Sequence, residues 1–375
     1  MRFNPVAAAK RINETYRDYM KSSFYINDEE LRSAYFTELD KLDFTNGPYL
    51  ECVDAFKQGA SLHQLVDAGL LSASFSNLLR EDKKQYERPL FLHQEQAIRI
   101  ANADKNMVVT TGTGSGKTEC FLYPILDYLL KEESTGTLNP GVRVLLLYPM
   151  NALANDQMQR LREILQSYQS ITFGAYTGET ETEDAAAIKQ YQLLHSGESP
   201  LKNERISRRQ MKESPPHILV TNYAMLEYLL IRPTDNVFFD DPDFSNNWKY
   251  IVLDEAHVYA GASGMEVSIL LRRLVHRLPK SEKIRFILTS ATLGDQNKND
   301  DILHFATSLC ASARFYSDAI IRATRRLMVY ESDFTGDESL YQRIVDLITH
   351  ELSHADPNTT RDKQVLLEIL NYSSL

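Results

Sequence analysis

The sequence predicts an α/β protein with a parallel, doubly wound sheet flanked by helices, and three observations lead there. Apolar runs of strand length alternate with helix-length segments through the middle of the chain, the pattern of βαβ units. At least one run, Val142 to Tyr148, reads as continuously apolar, as a strand buried on both faces does. A glycine-rich turn, Thr111-Gly112-Thr113-Gly114-Ser115-Gly116-Lys117-Thr118, joins the apolar run Met107-Val108-Val109-Thr110 to a helix-like segment, Glu119 to Leu130.

That turn is the organising stretch. Its glycines let successive backbone N–H groups and the helix N-terminus converge on one anion. Lys117 then reaches β- and γ-phosphates, and the Thr118 hydroxyl holds Mg²⁺. The strict phosphate-loop pattern has Gly where this chain has Thr111. A glycine-rich surface loop that binds nothing is the bland alternative; Gly-Lys-Thr at a strand–helix junction argues against it.

The 375 residues suffice for one large domain or two ordinary ones. A composition of 43% hydrophobic and 25% charged residues describes a soluble globular protein, and no apolar run approaches a membrane span. The net charge of −10 argues against a surface that is basic throughout, while leaving room for a local basic groove. Cys52, Cys120 and Cys310 share no metal or redox spacing, so they are expected to be buried thiols in a reducing cytoplasm.

Taken in order, residues 1-88 read as a polar helical accessory region, with apolar positions at helical spacing in Leu31, Tyr35, Leu39 and Leu42 and again in Leu62, Leu65, Val66 and Leu70. Next, Phe91-Leu92-His93-Gln94 precedes the phosphate loop. The Gln94 amide offers a donor and an acceptor matched to adenine's edge, and Phe91 adds an aromatic surface near the base. Val142 to Tyr148 ends in Pro149-Met150-Asn151 and a helix containing Gln157. Ile171 to Tyr176 is a shorter strand followed by the turn Thr177-Gly178-Glu179. The polar stretch from Glu179 to Ser214 reads as an insertion; for its cluster Lys202, Arg205, Arg208, Arg209 and Lys212, solvated charge is the default and phosphate contact the alternative.

His217 to Thr221 is another strand, leading into Asn222-Tyr223. Lys249 to Leu253 runs straight into Asp254-Glu255-Ala256-His257. A carboxylate pair there suits a phosphate-loop enzyme: Asp254 near the Mg²⁺, Glu255 taking a proton from the attacking water. A helix over Glu266 to Leu278 and a strand over Ile284 to Leu288 follow, ending in Thr289-Ser290-Ala291-Thr292, whose short hydroxyls reach the acidic motif. Beyond Leu293 a helix is expected over Asp300 to Cys310 and another over Leu340 to Leu352. Each motif falls at the C-terminal end of a predicted strand, where open α/β sheets hold ligands.

In this order the motifs resemble those of a superfamily 2 helicase of the DEAD/DEAH-box type, whose ATP-binding half is a RecA-like P-loop NTPase domain. Gln94 resembles the adenine-reading motif, Thr111 to Thr118 the first ATPase motif, Pro149 to Gln157 motif Ia, and Thr221-Asn222 a later strand-binding motif. Asp254 to His257 is identified as the DEAH box, and Ser290-Ala291-Thr292 as the coupling motif. The Tyr148 to Gln157 run, Tyr176-Thr177-Gly178-Glu179 and the Gly261/Gly264 stretch resemble a subgroup of large bacterial helicases of the MrfA and DISARM-helicase type.

The resemblance implies ATP and Mg²⁺ as cofactors. It implies a nucleic-acid strand, DNA rather than RNA, crossing Pro149, Met150, Asn151, Gln157, Thr177, Gly178, Thr221 and Asn222, with His257, Ser290 and Thr292 coupling that track to the nucleotide. The expected organisation is an accessory region at 1-88, the first RecA-like domain at 89-312, and a C-terminal extension or the start of a second such domain at 313-375. No Gln-x-x-Gly-Arg-x-Gly-Arg pattern follows Thr292, so the arginine fingers of a second RecA-like domain are expected from a missing part or a partner chain. Two rivals stand beside this reading: a nucleotide-switched binding module that moves no strand, and an RNA helicase.

Overall fold

A computed structural model describes residues 5–42, 44, 55–79, 83–112, 114–291, 299–311 and 313–326. Contacts divide the chain into two compact units, one of Met1–Asp54 with Leu327–Leu375 and one of Ala55–Arg326. In the first, helices Pro5–Ser23 and Glu29–Lys41 run against each other, and the Lys21 ammonium meets Asp40 at 2.6 Å. Asp28 starts the second helix by accepting the Leu31 N–H at 2.8 Å, as an N-cap aspartate should.

The second unit carries the sheet. Its strands are β1 (Gln58–Ser61), β2 (Pro89–Phe91), β3 (Met107–Thr110), β4 (Val144–Tyr148), β5 (Phe173–Ala175), β6 (Glu204–Arg205), β7 (Ile218–Asn222), β8 (Tyr250–Leu253), β9 (Arg285–Ser290) and β10 (Ile320–Arg322). Among the described residues, eight of them form one parallel sheet in the order β10-β3-β9-β8-β4-β7-β5-β6. This is the predicted doubly wound architecture, and it is RecA-like.

Side-chain alternation explains why both faces are covered. Val109, Val144, Leu146, Tyr148, Val220, Val252 and Ile287 point to one face, packed by helices Leu92–Asn102, Lys117–Ser134 and Asn151–Leu165. Their neighbours Val108, Leu145, Leu147, Leu219, Ile251, Leu253 and Leu288 point to the other, packed by helices Tyr223–Ile231, Gly261–Arg277 and Asn299–Leu309.

Three details depart from the sequence reading. Residues 55–88 are not wholly helical: β1 pairs antiparallel with β2, and the Asp127 carboxylate accepts the Ser72 N–H at 2.6 Å, which fixes this segment to the helix that follows the phosphate loop. The run read as apolar from Val142 contains Arg143, and the strand begins only at Val144. The region past Leu293 supplies a sheet strand, β10, beside β3. The helix expected over Leu340 to Leu352 lies outside the described residues.

Candidate active site

Strand register brings the motifs to one edge. Thr110 is level with Ser290, Leu147 with Leu253, and Tyr148 with Asn222, so the turns leaving these strands emerge side by side. The first is the phosphate loop. Gly114 and Gly116 have φ of 73° and 74°, a left-handed backbone that glycine adopts without a Cβ clash. Gly116 is doubly constrained, since a Cβ there would lie 2.4 Å from Gln94 Nε2. The Ser115 hydroxyl donates to Thr111 Oγ1 at 2.7 Å, so Thr111, where the strict pattern has glycine, buttresses the loop from within. Gly112 borders open space. Thr113 lies outside the described residues.

Gln94 and His93 hold the loop from the preceding helix. Gln94 Oε1 accepts the Phe91 N–H at 2.9 Å, and its Nε2 donates to Gly116 O at 3.1 Å. The amide expected to read adenine therefore also caps its own helix and braces the loop. His93 Nε2 lies 2.8 Å from Ser115 O, and burial pushes its pKa down. The sequence reading assigned His93 nothing; a buried histidine one residue before Gln94 carried no signal of its own. Phe91 stacks on His93 with centroids 5.6 Å apart.

The acidic motif approaches from β8. Lys117 Nζ and Glu255 Oε1 are 2.9 Å apart across 138 positions of sequence, with the lysine side chain 10% exposed. Glu255 sits at φ 49°, a left-handed conformation that costs a non-glycine residue about 1–2 kcal/mol. Its N–H donates to Asp254 Oδ1 at 3.1 Å and to Thr289 Oγ1 at 3.3 Å. The Thr289 hydroxyl donates in turn to Asp254 Oδ1, so one side chain of β9 ties both acids together. Burial raises the Asp254 pKa, and the Thr289 hydrogen bond opposes that rise. His257 Nδ1 stands 3.3 Å from Glu255 Oε2 and 3.2 Å from Ser290 Oγ. Thr292 lies outside the described residues.

The expected strand-contact residues divide. Asn151 forms a hub: its Nδ2 donates to Glu179 Oε1 at 3.0 Å, and its Oδ1 accepts from Asn222 Nδ2 at 2.6 Å. That joins three turns into one surface, with Met150 and Gly178 exposed upon it and Pro149 partly so. Thr177, Thr221 and Gln157 are buried. The Thr221 hydroxyl donates to Tyr176 O at 2.6 Å, and Gln157 Nε2 is buried without a hydrogen-bond partner. These three side chains face inward. The basic cluster of the insertion is largely consumed internally as well: Lys212 pairs with buried Asp235 at 2.7 Å, Arg209 with Asp184 at 2.5 Å, and Arg208 donates to Thr177 O at 3.3 Å.

Comparison with known proteins agrees with this fold. Residues 91–300 match DEAD/DEAH box helicase. The chain is 31% identical over 84% of its length to Druantia protein DruE of Escherichia coli, covering 22% of that protein. It is 30% identical over 54% of its length to the uncharacterized ATP-dependent helicase MJ1574 of Methanocaldococcus jannaschii, covering 26% of it, and 30% identical over 55% to YprA of Bacillus subtilis, covering 23%. It thus spans about a quarter of the length of these curated relatives. Among solved structures, the DUF1998 helicase MrfA bound to DNA aligns over 73% of the chain with a TM-score of 0.51 and 24% identity. The DEAD-box helicase Mss116 bound to single-stranded RNA aligns over 72% with a TM-score of 0.52 and 18% identity. At those identities the likeness shows the shared fold.

Proposed function

The chain belongs to the DEAD/DEAH box helicase family, the helicase-type ATPases, and from that premise we propose that it is the ATP-binding, ATP-hydrolysing first motor domain of a DNA helicase or translocase. The observation that carries the reading is the 2.9 Å approach of Lys117 to Glu255 at the aligned strand ends.

In this reading the backbone of Gly112 to Gly116 and the helix beginning at Lys117 hold the phosphates. Lys117 exchanges its carboxylate partner for the β- and γ-phosphates, which releases Glu255 to orient water and accept its proton. His257, 3.3 Å away, steadies the carboxylate. Gln94 and Phe91 border the adenine. The donors suit Mg²⁺: Thr118 offers a hydroxyl, and Asp254 a half-buried carboxylate whose Oδ1 already carries hydrogen bonds from Thr289 and Glu255, hard oxygen ligands of the kind that ion prefers. Mg²⁺ there would neutralise charge on the phosphates being parted.

The exposed turns around Asn151 are the strand surface in this proposal, contacting phosphates through backbone N–H groups and small polar side chains. Thr177 and Thr221 shape those turns from beneath. The second RecA-like domain, on another segment or another chain, supplies arginine fingers, worth about 10³–10⁵ in rate in related phosphate-loop enzymes, so this chain alone hydrolyses ATP slowly. DNA, and a setting in phage defence or DNA repair, rest on the likeness to the large bacterial subgroup. Unchanged phage and DNA-damage sensitivity in a strain carrying Glu255→Gln would remove the setting.

The deciding experiment is ATP turnover with and without single-stranded DNA or RNA, repeated with a separately expressed downstream segment of the parent gene. Turnover that rises with DNA once the segment is added supports a two-domain DNA motor. A rise with RNA instead changes the substrate, and turnover indifferent to both polymers leaves a nucleotide-switched binding module.

A further inference from the structure

Most cations near the functional edge already have carboxylate partners. Lys117 is paired with Glu255, Arg160 with Glu119, Arg209 with Asp184 and Lys212 with Asp235. Lys84 and Arg88 are different: among the described residues neither side chain has a carboxylate within ion-pair reach. Both are exposed. Both line a polar cleft of about 540 Å³ whose other wall includes Gln94, Gly114, Gly116 and Glu119. The two cations therefore share this cleft with two glycines of the phosphate loop and with Phe91 and Gln94.

Their placement is built. The short helix Lys83–Glu87 is fastened to the helix that starts at Lys117, because Gln85 Nε2 donates to the Tyr123 hydroxyl at 3.0 Å. Tyr86 packs on His63 with centroids 5.5 Å apart. The Arg88 N–H donates to Lys84 O at 3.0 Å, so the last turn stays closed and the two side chains, four positions apart, project from one face. Like charges at that spacing repel in a solvated turn and become favourable beside a polyanion. Glu119, the acid on the facing wall, is bonded by Arg160 through Oε1, while its Oε2 is buried without a hydrogen-bond partner among the described residues.

We propose that Lys84 and Arg88 are nucleotide ligands, two cations from the segment ahead of the matched helicase region (residues 91–300) that bind the phosphate chain of ATP or ADP. The inference rests on the ATP site proposed above, of whose residues Phe91, Gln94, Gly114 and Gly116 line this cleft. It gives residues 83–88 a role in the ATPase cycle: a shift of this segment changes nucleotide affinity without touching the phosphate loop.

The test is displacement of a fluorescent ADP analogue by ATP, ADP and adenosine, read on the full chain and on three variants. Lys84→Ala/Arg88→Ala should bind ATP and ADP about tenfold more weakly, the size of a lost charge-assisted contact, with adenosine affinity unchanged. Lys84→Arg/Arg88→Lys, which keeps both charges, should restore binding. Unchanged ATP affinity in the double alanine variant overturns the proposal, as does an equal loss for adenosine or a failure of the charge-keeping variant to recover. Lys117→Ala separates the two levels. If it binds ATP as tightly as the parent chain, the cleft assignment itself falls; if it loses ATP while the double alanine variant does not, only the role of Lys84 and Arg88 falls.

Discussion

Lys117 Nζ and Glu255 Oε1 stand 2.9 Å apart, so the cation of the glycine-rich loop and the second acid of the Asp254-Glu255 pair neutralise each other inside the candidate site. In the proposed function, a triphosphate brought to Lys117 would exchange one anionic partner for another and release Glu255 in the same event, which would link nucleotide binding to activation of water through one ion pair.

That linkage separates two substitutions. Lys117→Ala removes a charge-assisted contact to phosphate and is expected to weaken ATP binding by roughly 10–100-fold. Glu255→Gln removes the proton acceptor while keeping shape, and is expected to leave binding within about twofold and to cut turnover by about 10²–10⁴-fold. Equilibrium titration beside single-turnover hydrolysis distinguishes them; a Glu255→Gln protein that hydrolyses ATP normally would assign the base elsewhere.

Asn151 should act on the strand surface alone. Its amide joins the turns at Glu179 and Asn222 and, among the described residues, makes no hydrogen bond to the phosphate loop. Asn151→Ala is expected to lower DNA affinity about three- to tenfold, to weaken DNA stimulation of ATP turnover by a similar factor, and to leave basal turnover unchanged. Fluorescence anisotropy with a labelled oligonucleotide, run in parallel with the turnover assay, checks this. Loss of basal turnover would mean that Asn151 supports the ATP site instead.

Arg143 is a structural counterpart. Its side chain is 1% exposed, and its guanidinium donates to Glu132 Oε2 at 2.8 Å, Asn139 O at 2.5 Å, Gly141 O at 2.8 Å and Thr137 O at 3.1 Å. It ties the end of the helix after the phosphate loop to the start of β4. Arg143→Met strands the Glu132 carboxylate and three carbonyls, and is expected to destabilise the fold by about 3–5 kcal/mol. Denaturant unfolding measures it; a change below about 1 kcal/mol would show that water readily replaces the guanidinium.

The placement of the candidate site was legible in the sequence where a motif ends a strand. Lys117 after Gly116, and Asp254-Glu255 after an apolar run, were expected at strand ends, and the structure brings Lys117 and Glu255 within 2.9 Å there. The supporting contacts were not legible. Thr289 is an ordinary strand residue until β9 lies beside β8 and its hydroxyl meets Asp254. His93 and Arg208 act on backbone carbonyls, and such contacts leave no spacing in the sequence. The fold divides in the same way. The long interior strands declared themselves by apolar content, whereas β6 and β10 sit at the sheet's edges with two and three residues, too short for a periodic signal. Arg143 was passed over because an apolar window averages away one charge.

His217 gives the fold an acid sensitivity. Burial, with the Arg143 charge nearby, lowers its pKa to about 3. The ring is fixed as one tautomer: Nδ1 accepts the Thr172 N–H at 3.0 Å, and Nε2 donates to Asn139 O at 3.2 Å. Protonating Nδ1 would set a second hydrogen against the Thr172 N–H. The unfolded chain takes up the proton near pH 6.5, whereas the folded chain resists it until about pH 3. Stability present above pH 6.5 is therefore lost progressively as pH falls towards 3, by up to roughly 5 kcal/mol at 1.36 kcal/mol per unit. His217→Gln keeps an acceptor and a donor without a titrating ring. Its urea midpoint, lower than that of the parent chain at pH 7.5, should fall less between pH 7 and pH 4.5; equal slopes would show that other groups carry the acid response.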